Sequence, residues 1–254
     1  MATFTLDDWD YDDTSPDKYI LNGWTGSTTE TEIYIPGEYN GRQISLKDLK
    51  IFPSSMTHLE LEEVNGKKVQ LETTNLSESF RYRSKIIHID LSGLDTGNVT
   101  NMSCMFNECS GLTSVDVSRF DMTNVTDMSY MFSDCGGGGG GVTDLSLRGF
   151  QMGNVLNMSG MFSGCSGFTG LDVSGFDTKS VTNMNSMFEG CSELTSLDLG
   201  RFNLENVQFK WDTFKGCTQL KIIDLGQCQW TTADNLFGFQ SNIPLIIISP
   251  STGI

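Results

Sequence analysis

The chain has 254 residues, with 32 Asp plus Glu against 16 Lys plus Arg and a formal net charge of −16. That balance excludes nucleic acid and anionic lipid surfaces as partners, because both are bound through Lys and Arg. Hydrophobic residues at 38% and charged residues at 19% suit a packed core rather than a disordered chain. No run approaches the roughly 20 apolar residues of a membrane span, so insertion into a bilayer is not expected. Two histidines leave little room for acid–base chemistry near neutral pH.

In chain order, residues 1–55 read as an N-terminal β cap. The first thirty lack the basic and apolar regions of a signal peptide. Extended segments are expected at Tyr19 to Leu21 and Glu32 to Ile35, with turns at Pro36-Gly37 and Asn40-Gly41. Asp8, Asp10, Asp12 and Asp13 only loosely resemble a calcium loop, since Tyr19 stands where its bidentate Glu belongs. Met56, Leu59, Leu61, Leu76 and Phe80 make a divergent first coil over residues 56–85.

Regular coils follow over residues 86–219. Phe106, Phe132, Phe162, Phe188 and Phe214 share one repeat position, and Cys109, Cys135, Cys165, Cys191 and Cys217 another. The spacing is 26 residues except for one interval of 30, where Gly136 to Gly141 form an inserted bulge. Leu112, Val115 and Val117 mark a short strand. Val125, Met128, Met131, Phe132 and Cys135 then fall at helical spacing, with Asn124 as the expected N-cap. One strand and one short helix cannot bury their own apolar faces, but stacked coils can, so a solenoid is expected. A C-terminal coil and last strand occupy residues 220–248, the strand at Leu245 to Ile248, and residues 249–254 form a tail. The open edge of that strand is a candidate surface for oligomerisation or assembly.

NVTNMSCMF (98–106), NVTDMSYMF (124–132) and VTNMNSMF (181–188) carry one signature, which resembles the BspA-like leucine-rich-repeat surface proteins over roughly residues 56–248. The resemblance implies an α/β fold: a right-handed leucine-rich-repeat solenoid with a parallel sheet on one face and short helices on the other. It also implies no catalysis and no cofactor, and a role in adhesion or in binding proteins or cell surfaces. An extracellular or surface location goes with it. Similar repeats in phage tail-associated proteins imply the alternative of a virion component that binds a host.

Four groups of residues stand out. Asp90, Asp116, Asp172, Asp198 and Asp224 share one outward strand position, interrupted by Ser146. Like charges on adjacent strands cost about 0.8 kcal/mol per pair in water, so stability permits this ladder without explaining it. With His88 and Arg148 nearby, it is the expected partner-binding face. His58, Glu60, His88 and Asp90 form a weaker group, in which two imidazoles and two carboxylates in register could attract a divalent metal. The cysteine ladder reads as one core position repeated, because metal ligands cluster more closely than one per coil. Finally, Phe209 and Trp211 flank Lys210, which stands where Met is expected in the stripe. Local repacking and an exposed aromatic contact both fit that break.

Overall fold

A computed structural model describes residues 4–135, 144–145, 147, 150, 152–226, 228 and 246–248. Its strands are β1 (Trp9–Asp12), β2 (Lys18–Trp24), β3 (Glu32–Pro36), β4 (Glu38–Tyr39), β5 (Arg42–Leu46), β6 (His58–Glu62), β7 (Gln70–Leu71), β8 (His88–Asp90), β9 (Ser114–Asp116), β10 (Asp144–Leu145), β11 (Ser196–Asp198), β12 (Ile222–Asp224) and β13 (Ile246–Ile248). Alternating side chains send Ile33, Leu59, Ile89, Val115 and Leu145 into the core, where all are buried. The strands that carry them lie parallel in the order β10-β9-β8-β6-β3. A second parallel sheet, β11-β12-β13, continues the array, with β13 pairing in parallel along β12. The result is a β-solenoid of about seven turns. The Gly136 to Gly141 run and residues 249–254 lie outside the described residues.

The expected N-terminal β cap is not a layer apart from the solenoid. β1 does run antiparallel to β2, with Trp9 opposite Trp24. But β3 pairs with β6 residue for residue, from Glu32 opposite His58 to Pro36 opposite Glu62. β5 pairs in parallel with both β2 and β7. The reason is the shared alternation: Ile33 and Ile35 fill the same inward slots as Leu59 and Leu61.

The expected short helices are also absent among the described residues, apart from a 3-10 turn at Leu6–Asp8. An α-helix needs each amide to bond four residues back. Here alternate amides bond along the solenoid axis instead. Met128 N–H donates to the Asn157 carbonyl (2.9 Å), Tyr130 to Ser159 (2.8 Å), Phe132 to Met161 (2.9 Å) and Asp134 to Ser163 (2.7 Å). The amides between them close four-residue β-turns, from Met131 to the Met128 carbonyl and from Cys135 to that of Phe132. Both turns carry left-handed backbone at their third residue, Tyr130 and Asp134. It recurs at two positions per coil: Cys104 and Glu108, Tyr130 and Asp134, Gly160 and Gly164, Ser186 and Gly190, Asp212 and Gly216. Asn124 does not cap a helix; its Nδ2 donates to the Gly97 carbonyl of the previous coil at 2.7 Å. Asn154 and Asn206 repeat the contact one and three coils beyond the insertion.

The turn ladder hangs on an aromatic spine. Phe80, Phe106, Phe132, Phe162, Phe188 and Phe214 stack with centroids 5.4 to 5.9 Å apart and planes within 3 to 9° of parallel. Each buried Phe contributes about 1.5–3 kcal/mol, which offsets the strain of the left-handed residues beside it. The thiols follow the spine. Cys109, Cys135, Cys165, Cys191 and Cys217 each donate Sγ–H to the Phe carbonyl one coil earlier, at 2.8 to 3.1 Å. All seven cysteines are free. Burial pushes the Cys109 and Cys165 thiols up to about 12, so they stay protonated and serve as core donors.

Gly190 separates the helical and turn readings by sign. Its φ is +74°, and an added Cβ would meet only ordinary contacts at 3.5 Å. Gly190→Ala is therefore expected to cost about 1 kcal/mol through the left-handed backbone alone. Inside a helix the same change would stabilise by about 1 kcal/mol. Urea unfolding of the variant and the wild type measures which sign holds.

Candidate functional site

Each outward aspartate closes a corner. Asp90 Oδ1 accepts the Ser92 amide (2.8 Å), Asp116 that of Ser118 (2.9 Å), Asp172 that of Ser174 (3.1 Å), Asp198 that of Gly200 (2.8 Å) and Asp224 that of Gly226 (2.7 Å). This is an Asx turn, in which a short side chain satisfies the amide two residues on. Further corners of the same kind follow in each coil. In one they are Asp95 to Gly97 and Asn101 to Ser103, in the next Asp121 to Thr123 and Asp127 to Ser129. Much of the acidic character thus has a backbone to satisfy, which like-charge arithmetic alone does not reveal. The signal was in the sequence: Ser or Gly stands two residues after every one of these strand aspartates.

The ladder is also not one continuous stripe. Asp90 lies opposite Asp116, and Asp198 opposite Asp224. Asp172 sits in no strand, on the coil between the two sheets, and Arg148 lies outside the described residues.

At the N-terminal end of the first sheet the outward side chains do form a site. Along one row Glu32, His58, His88 and Ser114 are successive partners; along the next, Tyr34, Glu60, Asp90 and Asp116. The expected neighbourhood of His58, Glu60, His88 and Asp90 is therefore present. Over it lies a groove of about 450 Å³ lined by Glu32, Tyr34, His58, Glu60, Glu62 and His88, floored by Ile33 and Leu59. The two imidazole centroids are 6.2 Å apart. His58 Nδ1 meets the Thr57 hydroxyl at 2.8 Å and His88 Nδ1 meets the Ser114 hydroxyl at 2.6 Å. Tyr34 donates its phenolic proton to the Glu62 carboxylate. Burial, then that bond, pushes Tyr34 up to about 12, so its ring stays neutral. Among the described residues no three His, Cys, Asp or Glu side chains converge as metal ligands would.

Sequence reasoning missed Glu32, Tyr34 and Glu62. The alternation of Glu32 to Ile35 matched that of His58 to Leu61, but assigning the first segment to a cap separated it from the array. Phe209 and Trp211, 41% and 56% exposed, pack against each other with centroids 5.5 Å apart beyond the Asn183 corner position.

The family model described as "Mycoplasma protein of unknown function, DUF285" matches residues 49–137 and 141–240. No curated protein matches the chain. Among solved structures, a leucine-rich-repeat protein of T. pallidum is similar at 17% identity, covering 87% of this chain and 81% of that one, with a TM-score of 0.42. A leucine-rich cell surface protein from Faecalibacterium prausnitzii is similar at 15% identity, covering 98% and 95%, with a TM-score of 0.26.

The corner role of the aspartates can be tested apart from their charge. Asparagine keeps the Oδ1 acceptor and already fills equivalent corners at Asn101 and Asn157. Asp116→Asn is expected to leave unfolding free energy within about 0.5 kcal/mol of wild type. Asp116→Ala is expected to cost about 1 kcal/mol, as the Ser118 amide loses its partner. Equal stability of the two variants in chemical denaturation would remove the corner from the account.

Proposed function

Since the chain belongs to the DUF285 family of Mycoplasma proteins of unknown function, a family of BspA-like repeats, we propose that it is a non-enzymatic recognition module. It binds a protein or cell-surface partner across the outward face of its parallel sheets. The observation that carries this reading is the pair of side-chain rows on β3, β6, β8 and β9. Their backbone is fixed by sheet pairing, and their carboxylates are not neutralised: among the described residues no Lys or Arg lies within ion-pair distance of Glu32, Glu60, Asp90 or Asp116. A rigid acidic face of this kind favours basic partners and steers them by long-range attraction. Solenoids bind over such extended surfaces. The partner is met outside the cell, as the resemblance to BspA-like surface proteins implies. Among the described residues no helix is long and apolar enough to cross a membrane.

The test uses the whole chain, fluorescently labelled, against immobilised matrix proteins and intact bacterial cells at several salt concentrations. Saturable binding that weakens as salt rises is expected. Asp90→Asn with Asp116→Asn, and separately Asp198→Asn with Asp224→Asn, should each reduce affinity by about three- to tenfold while leaving the melting temperature unchanged. Binding that survives both pairs of substitutions would contradict recognition through the acidic face.

A further inference from the structure

We propose that the groove over β3, β6 and β8 receives a single cationic side chain, an arginine above all, from the protein partner. The proposal rests on the recognition reading above. Thr57 Oγ1 meets His58 Nδ1 at 2.8 Å and fixes that ring in the lining. The carboxylates and the phenol ring of the lining suit a donor-rich cation. Glu32 and Glu60 offer carboxylate oxygens and have no cationic partner among the described residues. Tyr34 offers a ring face held in place by its bond to Glu62. That bond places a negative charge on the phenol oxygen's partner, which strengthens the attraction of the ring for a cation.

A guanidinium has five N–H donors, no acceptor and a flat face that stacks on aromatic rings. It matches a lining of carboxylates and a phenol ring better than a compact ammonium does. An anion finds no Lys or Arg in this lining, and a metal ion finds no three converging ligands among the described residues. The groove volume of about 450 Å³ is in the range of ordinary side-chain and small-ligand pockets.

The experiment titrates the protein with N-acetyl-arginine amide and, in parallel, with its neutral isostere N-acetyl-citrulline amide, following the imidazole NMR signals of His58 and His88. Saturable shifts with the arginine compound and none with citrulline are expected. Glu60→Gln and Tyr34→Leu should each weaken binding by about fivefold. Tyr34→Phe, which keeps the ring, should stay within about twofold. Asp198→Asn, on the other sheet, should change nothing. Equal response to both compounds, or equal weakening by Asp198→Asn and Glu60→Gln, would overturn the site in favour of diffuse charge attraction. Loss of binding in Tyr34→Phe would remove the ring from it. If the arginine compound fails while Asp198→Asn with Asp224→Asn still weakens binding of the labelled protein to its partner, the cation site falls and the recognition reading stands.

Discussion

Backbone hydrogen bonds between coils are the constraint on which the rest depends. In a helix the amides of one segment are satisfied within that segment. Here the amides of Met128, Tyr130, Phe132 and Asp134 are satisfied by the next coil. The backbone must then rise by one sheet spacing per turn, and every repeated residue meets its own counterpart. Stacked phenylalanines, thiols donating to phenylalanine carbonyls and aspartate corners all follow from that translation. So does the left-handed backbone at two positions per coil, which aims alternate amides along the axis.

The same constraint explains why the surface is acidic. A coil that turns sharply needs an acceptor for an otherwise unsatisfied amide at each corner, and Asp and Asn supply one within two residues. Several corners use Asn and others Asp, at no evident difference in geometry: Asn101 and Asp127 occupy successive coils and accept at 2.8 and 2.9 Å. The choice between them is therefore free to serve something other than folding. On the sheet face the corner is Asp in every described coil from β8 onward that carries one. The proposed recognition role draws on that bias.

The repeat, its 26-residue period and the inward strand positions were legible in the sequence, because core burial imposes them directly. So was the alignment of His58 with His88, which the pairing of β6 and β8 bears out. The helices were not. Val125, Met128, Met131, Phe132 and Cys135 bury one face at three- and four-residue spacing, and a chain of turns produces the same spacing as a helix. The discriminating sign was glycine: Gly164, Gly190 and Gly216 each precede the ladder cysteine, a poor choice inside a helix and a good one at positive φ. The groove was illegible for a different reason. Glu32, Tyr34 and Glu62 become neighbours of His58 only once residues 32–36 are taken as a strand of the solenoid, and the turns that follow at Pro36-Gly37 and Asn40-Gly41 mark that segment as part of a cap instead.

Through-hydrogen-bond scalar coupling in an isotope-labelled sample tests the central claim most directly. Coupling from the Tyr130 amide nitrogen to the Ser159 carbonyl carbon, one coil away, is the result this account predicts. Coupling from the same nitrogen to the Thr126 carbonyl carbon, four residues back, would show a helix in place of the ladder and contradict it.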